Sequence, residues 1–177
     1  MRTMAESATG SRDPHLETRL RSQLIGALPP ARIQDVRSSV ISRKDGQTLH
    51  VAALVADEDG HHGVVAVTMD KPPLSIGEMS CLPPLFKNCS QRDSRSGPVV
   101  ITDQSAPEIK PGYRFLLAEL YKRDAQSSTN RGAVVMSVRA MDQPRSAANQ
   151  FWDGGSPVAE VPLTLDQIMA LVEAMYP

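Results

Sequence analysis

This sequence predicts an α+β fold: an antiparallel sheet of about five to six strands with an N-terminal and a C-terminal helix packed on it. Three observations carry that expectation. Leucines recur every four residues near the start. Apolar residues recur at helical spacing behind a capping box near the end. Between them, β-branched runs of strand length alternate with polar turn residues.

Residues Met1 to Ser11 are small and polar and read as a mobile tail, so the chain divides into a flexible segment, 1–12, and a single domain, 13–177. Asp13 suits an N-cap. Pro14 suits the first helical position, where its missing N–H costs nothing. Leu16, Leu20, Leu24 and Leu28, with Ile25 beside them, form the helix's apolar stripe, and Gly26 with Pro29-Pro30 ends it.

From Ile33 the period changes. "DVRSSVIS" and "QTLHVAALVA" read as two strands joined at Asp45-Gly46, a pair favoured in hairpin turns because both residues tolerate positive φ. A second turn, "DEDGHHG", leads into "VVAVTM", completing a three-stranded meander that "DKPPLS" is expected to stop. Three further strands follow at "GPVVITD", "YRFLLAELYKR" and "AVVMSVRAM". The two halves share the pattern strand, polar turn, Val-rich strand and Met-Asp, which suits an internal duplication or ordinary hairpin composition.

Residues 142–162 hold three prolines, two glycines and the lone Trp152, the composition of a surface loop that Phe151-Trp152 pins to the body. Thr164 and Gln167 form a capping box for the closing helix, whose apolar face is Leu165, Ile168, Met169, Leu171, Val172 and Met175.

A chain of 177 residues, 41% hydrophobic, can bury a sizeable core. Only 4% is aromatic, so Val, Leu, Ala, Ile and Met must build it. Net charge is −1 and the 19 basic residues are scattered, which gives nucleic acid no electrostatic footprint. The longest apolar run, "VAALVA", is far below the roughly 18 residues that span a bilayer. The first fourteen residues contain no apolar stretch of signal-peptide length.

Cys81 and Cys89 are the only cysteines. Their spacing lacks the second ligand pair of a structural zinc site and the two-residue gap of a thioredoxin-type motif. A disulfide closing this proline-containing ring of nine residues suits the spacing, set against two buried thiols. Such a bridge stabilises by ~2–3 kcal/mol in the chain-entropy treatment.

The "DEDGHH" turn gathers carboxylates and imidazoles, which are metal-ligand chemistry, but acidic residues with glycine are also what a tight turn wants, and adjacent His61 and His62 would point to opposite strand faces. No metal is expected there. His15, His50, His61 and His62 are the only imidazoles, no G-x-S-x-G elbow accompanies them, and His50 reads as a structural histidine. No phosphate-cradling glycine motif occurs. No catalytic residue, metal ligand or cofactor site is therefore assigned. "NCS" at Asn88 to Ser90 matches a glycosylation sequon of a length common by chance.

The order "LPPARIQDVRSS", "DGQTLHVAAL", "DEDGHHGVVAVT", "CLPPLFKNCSQRD", a Val-rich hairpin and "PLTLDQIMALVEAMYP", spanning Leu28 to Met175, resembles a group of actinobacterial extracytoplasmic proteins of unassigned function. Cys81, Cys89 and Pro162 to Ile168 carry the likeness, whereas "RDSRSGPVV" departs from it by lacking an Asp-Gly turn. The resemblance implies a secreted or cell-surface domain whose anchor or signal lies outside this sequence. The expected role is non-enzymatic binding of a protein or cell-envelope component. The alternative is a small cytoplasmic regulatory or chaperone-like protein.

Overall fold

The computed structural model describes residues 14–73, 76–78, 88–105, 114–123, 131–145 and 149–175. Helix α1 (Pro14–Ala27) leads through a 3-10 turn (Pro30–Arg32) into β1 (Ile33–Ser42), β2 (Gln47–Ala56) and β3 (His62–Lys71). Then come β4 (Ile76–Glu78), β5 (Cys89–Ser94), β6 (Gly97–Gln104), β7 (Phe115–Arg123), β8 (Arg131–Met141) and helix α2 (Leu165–Met175). The α+β class and the two helices are as expected. The strand number is not: seven strands run β1-β2-β3-β8-β7-β6-β5, all antiparallel, and the short β4 pairs with β8 off that path.

The sequence pattern misses β4 and β5 for a physical reason. β5, "CSQRDS", is an edge strand whose residues are mostly exposed, so it has no apolar face to betray it.

Alternation assigns each residue to one of two faces. Val51, Ala53, Val67, Ala118, Met136 and Val138 point toward the helices, and with Leu16, Leu20, Leu24 and Leu28 of α1 and Ile168, Leu171, Val172 and Met175 of α2 they form the main core. Ile25 falls outside the stripe and is exposed. The capping box forms as its residues predict: Gln167 N–H donates to Thr164 Oγ1 at 3.3 Å and Thr164 N–H donates to Gln167 Oε1 at 2.8 Å. The free edge at β1 is blunted by charge and by α1. Arg21 reaches the Val36 carbonyl at 3.4 Å and the Ser38 hydroxyl at 3.0 Å, Ser38 also donates to Glu17, and a bulge interrupts the strand between Ile33 and Asp35.

A second, smaller cluster lies on the far face, where Ala52, Val64, Ala66 and Met141 meet Phe151 and Trp152. The expected pinning of the 142–162 loop by its aromatic pair is therefore present. Met69 lies in the main core and Met141 in the far cluster. The two Met-Asp segments thus sit out of phase by one residue, which inverts every side chain, so that likeness does not superpose the two halves.

Gly46 is needed for another reason than turn φ, since neither Asp45 nor Gly46 is left-handed. A Cβ there would meet the Lys71 carbonyl oxygen at 2.1 Å and Pro72 Cδ at 2.3 Å, because the hairpin tip packs against the end of β3. Gly46→Ala is expected to destabilise by ~1–3 kcal/mol through overpacking. Gly26→Ala, with nothing within 4 Å of the new atom, is expected to stabilise α1 by up to ~1 kcal/mol. Urea unfolding of both variants checks the contrast, and equal effects would refute it. Ile168→Ala, at a fully buried α2 position, is expected to cost about 2–5 kcal/mol in the same assay.

Candidate functional site

Strand register sets one straight row across the far face. Ser39 pairs with His50, His50 with Thr68, Thr68 with Ser137, Ser137 with Glu119, Glu119 with Val100 and Val100 with Gln91. The adjacent row runs Arg37, Ala52, Ala66, Arg139, Leu117 and Thr102. His50, Thr68, Ser137, Glu119, Arg139 and Leu117 are all half-buried. Five of these six carry polar groups, the reverse of the apolar face beneath the helices.

The 149–152 segment walls one side. Asn149, buried to 3% exposure, accepts the N–H groups of Phe151 and Trp152 at 2.8 Å each and donates to the Arg145 and Trp152 carbonyls at 2.6 and 2.9 Å. That places Gln150 at φ 71°, a left-handed conformation uncommon for a residue with a Cβ. Its amide donates to His50 Nε2 at 3.1 Å, while Ser39 Oγ donates to Gln150 Oε1 at 3.4 Å. Arg37 covers the Trp152 ring at 5.4 Å and pairs with Asp35 at 2.8 Å.

With Nε2 accepting, His50 carries its proton on Nδ1 and donates it to Thr68 Oγ1 at 3.0 Å. His50 is thus oriented as a donor to Thr68, not as a base for its hydroxyl. Burial pulls the imidazole below its ordinary value, and the nearby Asp70 charge opposes this. Asp70 itself accepts from Thr48 Oγ1 at 2.5 Å.

On the β7–β8 side, burial pushes the Glu119 carboxyl up and the Arg139 charge opposes it. Tyr121 is pushed up to about 12, first by burial and then by the Glu119 charge. Arg139 lies over the Phe115 ring at 5.6 Å. Shifted groups gathered in one region mark candidate function, and His50, Glu119 and Tyr121 are spread along the far face.

At the end of the sheet another pin is built. Arg114 Nε donates to Asp142 Oδ2 at 3.1 Å, its N–H to Oδ1 at 3.0 Å, and its Nη2 to the Ala159 carbonyl at 2.9 Å. Val158 N–H returns to the Asp142 carbonyl at 2.8 Å. Shallow clefts flank this strap, one of ≈ 490 Å³ beside Asp103 and Arg114, another of ≈ 570 Å³ beside Arg32 and Asp57.

In the 57–61 turn, Asp57, Asp59 and His61 place ligand-type atoms within 4.8 Å of one another. Turn chemistry organises them: Asp57 Oδ1 accepts the Asp59 and His61 N–H groups at 2.9 Å each. Desolvation works to raise the Asp57 carboxyl, but those two backbone bonds, with His61 and Arg32 nearby, bring it below the ordinary range. Gly60 supplies the left-handed turn residue.

Cys89 opens β5 opposite Thr102, half-buried. Its expected partner Cys81, the 1–12 tail and the Asp13 cap lie outside the described residues. His50 was expected as a structural histidine and does make structural hydrogen bonds, but on the far face. Glu119, Arg139 and Ser137 carry no sequence signal of their own; an acidic residue inside the apolar "FLLAELY" run is the one hint. Among the described residues no helix is long and apolar enough to cross a membrane. No protein-family model, curated protein or solved structure matches the chain.

Glu119 and His50 give opposite pH signatures. Glu119, raised in the fold, favours folding below its unfolded value near 4.3 and loses that contribution as pH climbs through the folded value. His50, lowered in the fold, contributes fully above about pH 6.5 and loses its contribution as pH falls. Glu119→Gln is therefore expected to raise stability at pH 7 and change it little at pH 4. His50→Gln should flatten the decline below about pH 6.5. Urea unfolding from about pH 4 to 7 measures both; a Glu119→Gln gain larger at the acid end would refute the assignment.

Proposed function

We propose that this chain is a non-enzymatic binding domain, working outside the cytoplasmic membrane, whose far sheet face recognises a protein or cell-envelope component. The observation that supports it is the layout of the half-buried polar groups. They lie in rows set by strand pairing across the central strands, walled by an aromatic segment, on a scaffold whose other face is filled by helices. A row spread over several strands presents groups to a partner's surface, whereas chemistry on a small substrate wants them gathered around one enclosed point.

The likeness to actinobacterial extracytoplasmic proteins and the spacing of Cys81 and Cys89 support the location. An oxidising compartment keeps a structural disulfide that mesophilic cytosol removes. Protein taken from the cells that make it is expected to have a mass two hydrogens below its reduced form and to resist thiol labelling until reduced. Two free thiols in that protein would favour the cytoplasmic regulatory or chaperone-like reading instead.

Recognition itself is tested by placing a photo-crosslinking residue at Ser137 and, as a control, at exposed Ser22 on α1. A discrete adduct formed in those cells from position 137 and absent from position 22 is the expected result. Equal capture at both positions would remove the far face as the recognition surface.

A further inference from the structure

Glu119 and Arg139 are a pair of opposite charges that the fold brings close and leaves apart. Glu119 faces Ser137 and Arg139 faces Leu117, so the two are diagonal neighbours on β7 and β8. Side chains so placed commonly reach one another. Glu119 feels the Arg139 charge, yet the ion pairs within 4.0 Å among the described residues are Arg37–Asp35, His61–Asp57, Arg95–Glu173 and Arg114–Asp142. The Arg139 guanidinium instead rests on Phe115 at 5.6 Å, which turns it away from the carboxylate.

Half-burial penalises the Glu119 charge, and Arg139, seated on the Phe115 ring, offsets it only from a distance. A ligand that offers each group its complement at contact distance satisfies both. The planar fork of Arg139 suits a carboxylate, taken through two parallel N–H bonds. Glu119 suits an ammonium. Ser137 stands directly opposite Glu119 and two residues before Arg139 on β8, which adds a hydroxyl beside the pair.

We propose that this part of the far face binds a zwitterionic α-amino-acid head group, its carboxylate on Arg139 and its ammonium on Glu119. The inference rests on the far face being the recognition surface and narrows what that surface reads. The opposed charges set the ligand's polarity, and their place on diagonal neighbours of adjacent strands suits a compact ligand that spans one strand pair.

The test is a titration of the full chain with free alanine followed by amide NMR, with acetate and methylamine as half-ligands at equal concentration. Saturable shifts at Glu119, Ser137 and Arg139 with alanine, and less than a tenth of that response with either half-ligand, are expected. Glu119→Gln and Arg139→Gln should each weaken alanine binding at least tenfold, and Arg139→Lys, which keeps the charge but loses the fork, should weaken it as well. Unfolding midpoints confirm that the variants remain folded. A flat alanine titration, or one unchanged in all three folded variants, overturns the proposal. A flat titration alongside specific crosslinking from position 137 overturns it while leaving the recognition face in place.

Discussion

The β3–β8 register holds the molecule together. Six consecutive pairs, from Val64 opposite Met141 to Met69 opposite Met136, join one meander to the other across a sequence gap of more than sixty residues. Until that seam closes, each half is a small sheet with an uncovered apolar face. Once it closes, Val67 and Val138 stand side by side beneath the helices and Thr68 and Ser137 stand side by side on the opposite face. A slip of one residue would exchange those two populations. The main core and the polar row are thus two consequences of a single alignment.

The seam also explains why the chain needs its long return from β8 to α2. A wide sheet must shield two faces, and the helices shield one. The 142–163 segment crosses the sheet's end and supplies Phe151 and Trp152 to the other face before α2 begins. Its fixed points are polar. Asp142, 3% exposed, is satisfied by Arg114 through two hydrogen bonds, and Arg114 goes on to bind carbonyls of the strap itself. Buried charge is tolerable here because both carboxylate oxygens of Asp142 accept hydrogen bonds from Arg114. Asn149 plays the same part for the aromatic pair, using both its oxygen and its amide.

Much of the fold was legible because local chemistry and tertiary demand agree. The leucines at 16, 20, 24 and 28 are all buried, the capping box at Thr164 and Gln167 forms, and the six Val- and Leu-rich strands fall where alternation places them. Legibility fails where a residue's role is set by a partner distant in sequence. β5 is a strand because β6 pairs with it, and its polar composition gives no warning. Gly46 is a glycine because Lys71 crowds it, a contact made twenty-five residues away. The far-face row draws Ser39, His50, Thr68, Glu119 and Ser137 from five strands, and only pairing turns those scattered residues into neighbours.

The contrast between two arginine–carboxylate arrangements then separates structure from function within one protein. Arg114 and Asp142 are close and multiply hydrogen-bonded, with the carboxylate buried, the form an ion pair takes when it holds a fold. Glu119 and Arg139 have the same charges, a geometry that permits contact, and no contact. Replacing Glu119 by an apolar residue would remove its burial penalty without losing a hydrogen bond to Arg139. Arg139 is held by the Phe115 ring and not by the carboxylate, so this pair is not closed on itself as Arg114 and Asp142 are, and a charge kept at a local cost in an otherwise consistent fold marks a place that can act on something else.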